Sequence, residues 1–424
     1  MPGWLKSIRI DLTALRVSRD FRLLTAAGMV SSFGSILTMI AVPFQMKQLT
    51  NSYLAVGLIS AVEFIPMVLV GLYGGALADA YNRQKLVLLS EIALLVCAAG
   101  LLTNSLLPHP AIWPLYVIGA LAAAGSAIQR PAIDPMVIRY VPLEHQTSAA
   151  AFGFVQHSLT GVVGMSLAGV LISAVGVPIA YAVDVLTFLI SLQLIRKLTP
   201  VPPGMEGGKP SLSSIVDGMR YAVARKDLLG TYIVDIACMF LAAPMALLPF
   251  WADRMGGPQV LGFLYASFGL GGGLAALTSG WVKNVHRHGL GVILGAAGFG
   301  VGVALAGFFD TLWLVVPLLA LGGFADGISG LFRVTIWNQS IPDEYRGRLA
   351  SIEMLSYLTG PQLAGVRSSG VAKIAGLHTS IISGGVACIA AVGALAVSLP
   401  AFRNYDARTD EHLLAERARR AALA

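Results

Sequence analysis

Residues 53–78, YLAVGLISAVEFIPMVLVGLYGGALA, decide the fold. They run from Tyr53 to Ala78 with one ionisable side chain, Glu63, and a helix of about 20 residues suffices to cross a hydrocarbon core. A stretch this long and this apolar is a membrane span. Glu63 lies about ten residues into it, roughly 15 Å along a helix rising 1.5 Å per residue, so its carboxyl falls near the bilayer middle.

Comparable stretches recur along nearly the whole chain, near residues 21–44, 86–106, 111–137, 147–172, 177–198, 228–252, 259–282, 289–309, 311–336, 347–372 and 378–402. They leave no room for a soluble domain, and composition agrees: 56% of the 424 residues are hydrophobic and 12% charged, where soluble domains carry about 25% charged residues. The first stretch is too long for a signal-peptide apolar region and no small-residue cleavage site follows it, so it counts as a membrane helix. The chain is an all-α membrane protein of twelve transmembrane helices.

Charge gives the orientation. Of the 29 Lys and Arg, most fall on one side of this layout, in the N-terminal arm (Arg16, Arg19, Arg22), in every second loop (Arg83, Lys85, Arg139, Arg196, Lys283, Arg346) and in the tail (Arg403, Arg417, Arg420). The other side holds only Lys47, Arg254 and Lys373, while Arg130, Arg333 and Arg367 lie within spans. Positive loops stay cytoplasmic, which predicts a cell-membrane protein with both termini inside. The net charge of +7 is a topology signal and not a nucleic-acid footprint.

Several chemistries find no support. Cys97, Cys238 and Cys388 lie singly in apolar spans without metal-ligand spacing, reading as small core residues. The glycine runs at 269–273 and 298–302 do not complete a dinucleotide fingerprint, and no P-loop or zinc-protease motif occurs. His286 and His288 flank Arg287 in a short loop and read as solvated. No cofactor, no metal and no enzymatic constellation is implied; a membrane-embedded enzyme would need larger polar loops.

The chain resembles itself across its middle. Residues 199–227, opening Thr199-Pro200-Val201-Pro202-Pro203-Gly204 and turning amphipathic from Ser211, read as a cytoplasmic linker. On either side, Val141-Pro142-Leu143-Glu144-His145 parallels Ile341-Pro342-Asp343-Glu344-Tyr345. Gly164 to Gly169 parallels Gly360-Pro361-Gln362-Leu363-Ala364-Gly365, and Pro43-Phe44 parallels Pro249-Phe250. Repeated halves with a substrate site between them are a common plan for transporters. The organisation is therefore an arm (1–20), a six-helix bundle (21–198), the linker (199–227), a second pseudo-symmetric six-helix bundle (228–402) and a tail (403–424).

The segment Gly75-Ala76-Leu77-Ala78-Asp79-Ala80-Tyr81-Asn82-Arg83-Gln84-Lys85 resembles the loop between spans two and three of major facilitator transporters, G-x-x-x-D-R/K-x-G-R-R/K. Ala80 stands where a basic residue is usual, and Asn82 stands for Gly, Asn being tolerant of left-handed backbone. Ala61-Val62-Glu63-Phe64-Ile65-Pro66, Ala325-Asp326-Gly327-Ile328-Ser329 and Ile341-Pro342-Asp343-Glu344-Tyr345-Arg346-Gly347-Arg348 resemble the enterobactin-exporter-like branch of the drug:proton antiporters. The resemblance implies the major facilitator fold, a monomer, and efflux of a siderophore or amphipathic drug coupled to proton entry.

An ionisable group at hydrocarbon depth costs on the order of 2.5–3.5 kcal/mol on insertion scales, so each needs a partner, a cavity or a proton. Glu63 is a candidate proton carrier, or a protonated Glu bonding a neighbouring helix. Asp235 in span seven and Asp326 in span ten are raised as carriers by the resemblance. Asp326 and Arg333 share a helix face, and Arg130 and Asp134, four apart, can pair directly; either pair would serve as a gate or cavity charge, or fix helix register. Arg367 has no acid within four residues and awaits an inter-helical partner, a backbone carbonyl or an anionic cargo. Asp184 and Glu91 fall on spans that the resemblance places outside the cavity, and read as structural.

Gly75 permits close helix contact, Asp79 can accept from helix-end donors, and Arg83 can reach Asp134 or Glu353; together they would form a gating latch. Gly360, Pro361 and Gly365 resemble the antiporter signature, which that family carries on span five, where this chain has Gly164 and Gly169 but Met165 in place of Pro; small-residue packing explains the same pattern. Two transport readings stay open: proton-coupled export by alternating access, and proton-independent facilitation or uptake. The partners implied are a small-molecule substrate, protons and the lipid bilayer, with no nucleic acid.

Overall fold

The computed structural model describes residues 12–201 and 219–423; within them the side chains of residues 72–80, Arg130, residues 343–348 and some others are not described. Among the described residues the architecture is all-helical, with twelve long helices. The first six are α1 (Arg19–Thr50), α2 (Tyr53–Ala80), α3 (Arg83–Ser105), α4 (Trp113–Tyr140), α5 (Gln146–Val175) and α6 (Val177–Arg196). The second six are α7 (Lys226–Ala242), α8 (Pro258–Leu277), α9 (His288–Ala306), α10 (Leu312–Ser340), α11 (Asp343–Ala375) and α12 (Leu377–Ser398).

Nine stretches among the described residues are long and apolar enough to cross a membrane, α7 counting together with its continuation to Arg254. The remaining three are α4, α5 and α11; Thr160–Val175 of α5 is a shorter apolar stretch, and α11 carries Glu353 and Arg367. Polar side chains in a spanning helix mark the faces that meet protein or water in place of lipid.

Two local departures from the sequence reading have plain causes. The seventh span is not one helix: it stops at Ala242, and Ala243 turns extended (ψ 119°) because the residue before a proline is pushed out of the helical region. After Pro244 the chain resumes through a 3-10 turn, Met245–Leu247, into a short helix, Leu248–Arg254. Asn82 adopts no left-handed conformation. It sits at φ −60° and ψ 117° and caps α3, its side chain accepting from the Lys85 N–H at 3.2 Å, the ordinary use of Asn at a helix start.

Packing divides the chain into two compact units, Met1–Gln45 with Ile65–Lys209 and Met46–Phe64 with Pro210–Ala424. In the first, α3 packs against α4 and α6, around a core that includes Leu24, Val87, Met136 and Ile195. Gln84 closes one end, its amide donating to the carbonyls of Ile195 (3.0 Å) and Leu198 (2.9 Å) at the terminus of α6. The short helix Thr13–Val17 packs on α5 through buried Ala14.

In the second unit, α10 packs against both α8 and α9, and α9 also against α12. Glycines make these crossings close: a Cβ on Gly271 would strike the Ala320 backbone, and one on Gly302 the Gly322 backbone, the small-residue contact by which membrane helices associate. At the entry to α7, Arg225 grips Asp227 with Nε at 2.9 Å and Nη2 at 2.5 Å. His288 is not solvated. It is buried, with Phe332 and Tyr405 on either side of its ring and Nε2 2.9 Å from the Val285 carbonyl. Residues 46–64 belong to this unit: Lys47 pairs with Asp253, and the Tyr53 and Phe250 rings lie 4.3 Å apart. The tail ends in helix α13 (Glu411–Leu423), which seats Leu413 on the protein.

The linker's amphipathic segment from Ser211 lies largely outside the described residues; residues 219–224 are helical.

Candidate functional site

The densest group of buried charges is in the second unit, where α7, α10 and α11 converge on Arg333. Its Nη1 pairs with Asp235 Oδ1 from α7, and its Nη2 lies 3.7 Å from Asp326 Oδ1, two turns earlier on its own helix. Asp235 is 2% exposed and Arg333 3%, while the Asp326 side chain is 31% exposed. Ser356 of α11 donates to Asp235 Oδ2 at 3.2 Å.

Tyr357 lies under the guanidinium, 5.7 Å from Arg333 Cζ to the ring centroid, and continues an aromatic wall through Trp337 (6.1 Å) to Tyr232 (5.3 Å). Trp337 is held by its indole N–H, which donates to Thr231 Oγ1 at 2.9 Å. Glu353, one turn before Tyr357, hydrogen-bonds with it and feels the Arg333 charge. The guanidinium keeps one donor, Nε, without a partner.

Three carboxyls therefore face one guanidinium. With every acid ionised, the group carries two uncompensated negative charges, which two bound protons or one arriving cation and one proton bring to neutrality. The pairing of Asp326 with Arg333 expected from their spacing is present, but the nearer acid comes from another helix, which spacing along one helix cannot disclose. Ser356, Tyr357, Trp337 and Tyr232 were missed too; the signal available was an aromatic on each of α7, α10 and α11 close to a span's ionisable residue.

Glu63 stands on α2 half-buried, with no hydrogen-bond or ion-pair partner among the described residues. One turn earlier, Ser60 meets Gly365 of α11, and Gly57 meets Ser369. Gly360 likewise packs on Ile236 and Met239 of α7, and α11 runs unbroken through Pro361. Gly164 packs on Ile36 of α1, and Gly169 is buried. Arg367 finds no acid among the described residues. Its Nη1 reaches the Ser380 carbonyl at 3.5 Å and its Nε is unpartnered.

In the first unit, Arg83 is half-buried and Asp134 exposed, and each has an interaction partner; the side chains of Gly75, Asp79 and Arg130 lie outside the described residues. Asp184 is buried and accepts from Thr38 Oγ1 at 2.5 Å. Glu91, read from the resemblance as remote from any cavity, lines one. A cavity of about 480 Å³ opens among α1, α3, α4 and α5, with Glu91, Gln129, Asp134 and Gln156 among its polar lining.

Cys238 and Cys388, distant in sequence, meet across α7 and α12, each thiol donating to the Ala296 carbonyl at 3.6 Å. Among the described residues no cluster of three metal-ligating side chains occurs.

Comparison with known proteins places this geometry in context. The family described as transmembrane secretion effector matches residues 12–421. The chain is 28% identical over 364 residues to the enterobactin exporter EntS of Escherichia coli O1:K1 and of Escherichia coli O157:H7, covering 85% of this chain and 87% of that protein. Among solved structures it is similar to the nucleoside transporter NupG (TM-score 0.72, 9% identity, 89% of this chain and 99% of that one). It is also similar to a bacterial homologue of the human lysosomal transporter Spinster (TM-score 0.66, 15% identity, 94% and 96%). Identities this low speak for the fold alone.

Proposed function

Because the chain belongs to the transmembrane secretion effector family of major facilitator transporters, we propose that it exports a small organic molecule, a siderophore or amphipathic drug, in exchange for protons. The protein is a multi-pass membrane transporter and not an enzyme; cargo, coupling and mechanism are the proposal. The observation that carries it is the excess of acid around Arg333. A buried guanidinium facing Asp235, Asp326 and Glu353 is a site where taking up or releasing a proton changes which pairs hold.

In this reading protons arriving from outside neutralise Asp326 and Glu63, the two acids with the loosest attachments. Asp235 keeps Arg333 in place throughout. Neutralisation biases the equilibrium between outward- and inward-open states, the two six-helix bundles rocking about a central site. Arg130, Arg333 and Arg367 set the charge the cargo meets; Gly75, Asp79, Arg83, Asp134 and Glu353 form the gating latch; Gly164, Gly169, Gly360, Pro361 and Gly365 are the small-residue contacts on which helices slide. The protein works as a monomer in the cell membrane with both termini cytoplasmic.

The identity to an enterobactin exporter supports siderophore cargo. The test is a proteoliposome assay with a pH-sensitive dye inside, an imposed pH gradient, and added catecholate siderophores or amphipathic drugs. Proton movement that requires cargo in wild type and is lost in Glu63→Gln is the expected result. Cargo flux indifferent to the gradient and to the substitution would leave a facilitator.

A further inference from the structure

Two reactive groups of the second unit have no part in the acid cluster: the thiols of Cys238 on α7 and Cys388 on α12. Both are free and buried, at 1% and 0% exposure. Each donates to the same acceptor, the Ala296 carbonyl of α9, at 3.6 Å, and the two side chains also hydrogen-bond with each other. Small core residues would fill the same space without bringing two sulfurs into contact.

Packing brings the pair together. α7, α9 and α12 cross at glycines: a Cβ on Gly384 of α12 would strike the Leu241 carbonyl of α7, and one on Gly385 the Gly300 carbonyl of α9. A disulfide needs such a close approach, its Cα atoms standing about 4.4–6.8 Å apart. A structural metal ion is the poorer occupant, since zinc takes about four ligands and among the described residues no cluster of even three metal-ligating side chains occurs.

We propose that Cys238 and Cys388 are an oxidation site, at which hydrogen peroxide joins the two thiols in a disulfide that ties α7 to α12. Cys238 Sγ attacks a peroxide oxygen; the O–O bond breaks, and Cys238 becomes a sulfenic acid as water leaves. Cys388 Sγ then attacks the sulfenic sulfur, the S–S bond forms, and the hydroxyl departs with the Cys388 proton as a second water. The two thiols lose two electrons and the peroxide gains them.

Cys238 takes the first step because water comes near it. It feels the charges of Asp326 and Arg333, and the Asp326 side chain is 31% exposed. Burial slows that step, whereas the second is fast because the partner thiol is already in contact. The product is uncharged, as an apolar interior favours. Asp235 stands three residues before Cys238, so the bond would fix the stretch of α7 that pairs with Arg333. The site goes beyond the export reading, since its chemistry requires no flux.

The test exposes the full-length protein in lipid nanodiscs to hydrogen peroxide with dimedone present, at doses that fully oxidise added glutathione. Unfolding in N-ethylmaleimide and mass spectrometry then count the free thiols and map cross-linked peptides. Of the three free cysteines, only Cys97 should remain alkylated, with a Cys238–Cys388 peptide that dithiothreitol releases. Cys388→Ser should lose the cross-link and accumulate the dimedone adduct of a sulfenic acid on Cys238, while Cys97→Ser should keep the cross-link. Three free thiols after peroxide, a cross-link that includes Cys97 or joins two molecules, or a dimedone adduct on wild-type Cys238 in place of the disulfide would overturn the site. The wild-type result decides the matter if a serine variant does not fold. Siderophore flux is read separately in proteoliposomes, so the site can fail with export intact, and export can fail with the site intact.

Discussion

Arg333 keeps its charge inside a helical bundle because Asp235, on a different helix, is equally buried, and because Ser356 occupies that carboxylate's second oxygen. Removing Asp235 takes away the nearest acid and leaves Arg333 only the longer contact to Asp326 and the charge of Glu353, at a cost of up to about 3–5 kcal/mol. Asp235→Ala should therefore lower the midpoint of thermal unfolding markedly in detergent, and Asp235→Leu combined with Arg333→Met should recover most of it while abolishing transport. Asp326→Asn should behave otherwise. Its carboxyl is a third exposed and 3.7 Å from Arg333, so stability should fall by no more than about 1 kcal/mol, while cargo-dependent proton movement is lost. Equal stability losses at Asp235 and Asp326 would contradict this division of labour.

At the scale of the elements, close crossing is the controlling feature, and glycine position decides where it occurs. On α8, a side chain at Gly271 would collide with the backbone of α10, whereas at Gly273 it would meet nothing within 4 Å. Gly271→Leu should abolish the monodisperse peak in size-exclusion chromatography of the detergent-solubilised protein, and Gly273→Leu should leave it unchanged. Long apolar runs made nearly every helix legible in the sequence, because lipid demands them. What remained hidden came from contacts between helices. Pro244 was visible, but its consequence, a break that splits the seventh span, follows from local backbone geometry that an apolar run masks. Arg333 with Asp326 could be seen from a two-turn spacing, whereas Asp235, Tyr357, and the meeting of Glu91 with Gln129 depend on which helices pack together. His288 was misread for the same reason: its burial is supplied by Phe332 and Tyr405 from elsewhere in the chain.

At the scale of the whole molecule, the asymmetry of basic residues and the repeated halves lead the sequence reading to one topology, and the family match over residues 12–421 makes the chain a transporter over that length. A fluorescent protein fused after Ala424 should fold and fluoresce, and alkaline phosphatase fused there should stay inactive, as cytoplasmic termini require; the reverse would invert the orientation and with it the direction of export. In the proposed mechanism the proton gradient drives organic cargo out through the acid group around Arg333. The most direct measurement is accumulation of radiolabelled enterobactin in inside-out membrane vesicles carrying an acid interior. Uptake into the lumen should collapse with a protonophore and be absent in Asp326→Asn; uptake that survives both would rule this mechanism out.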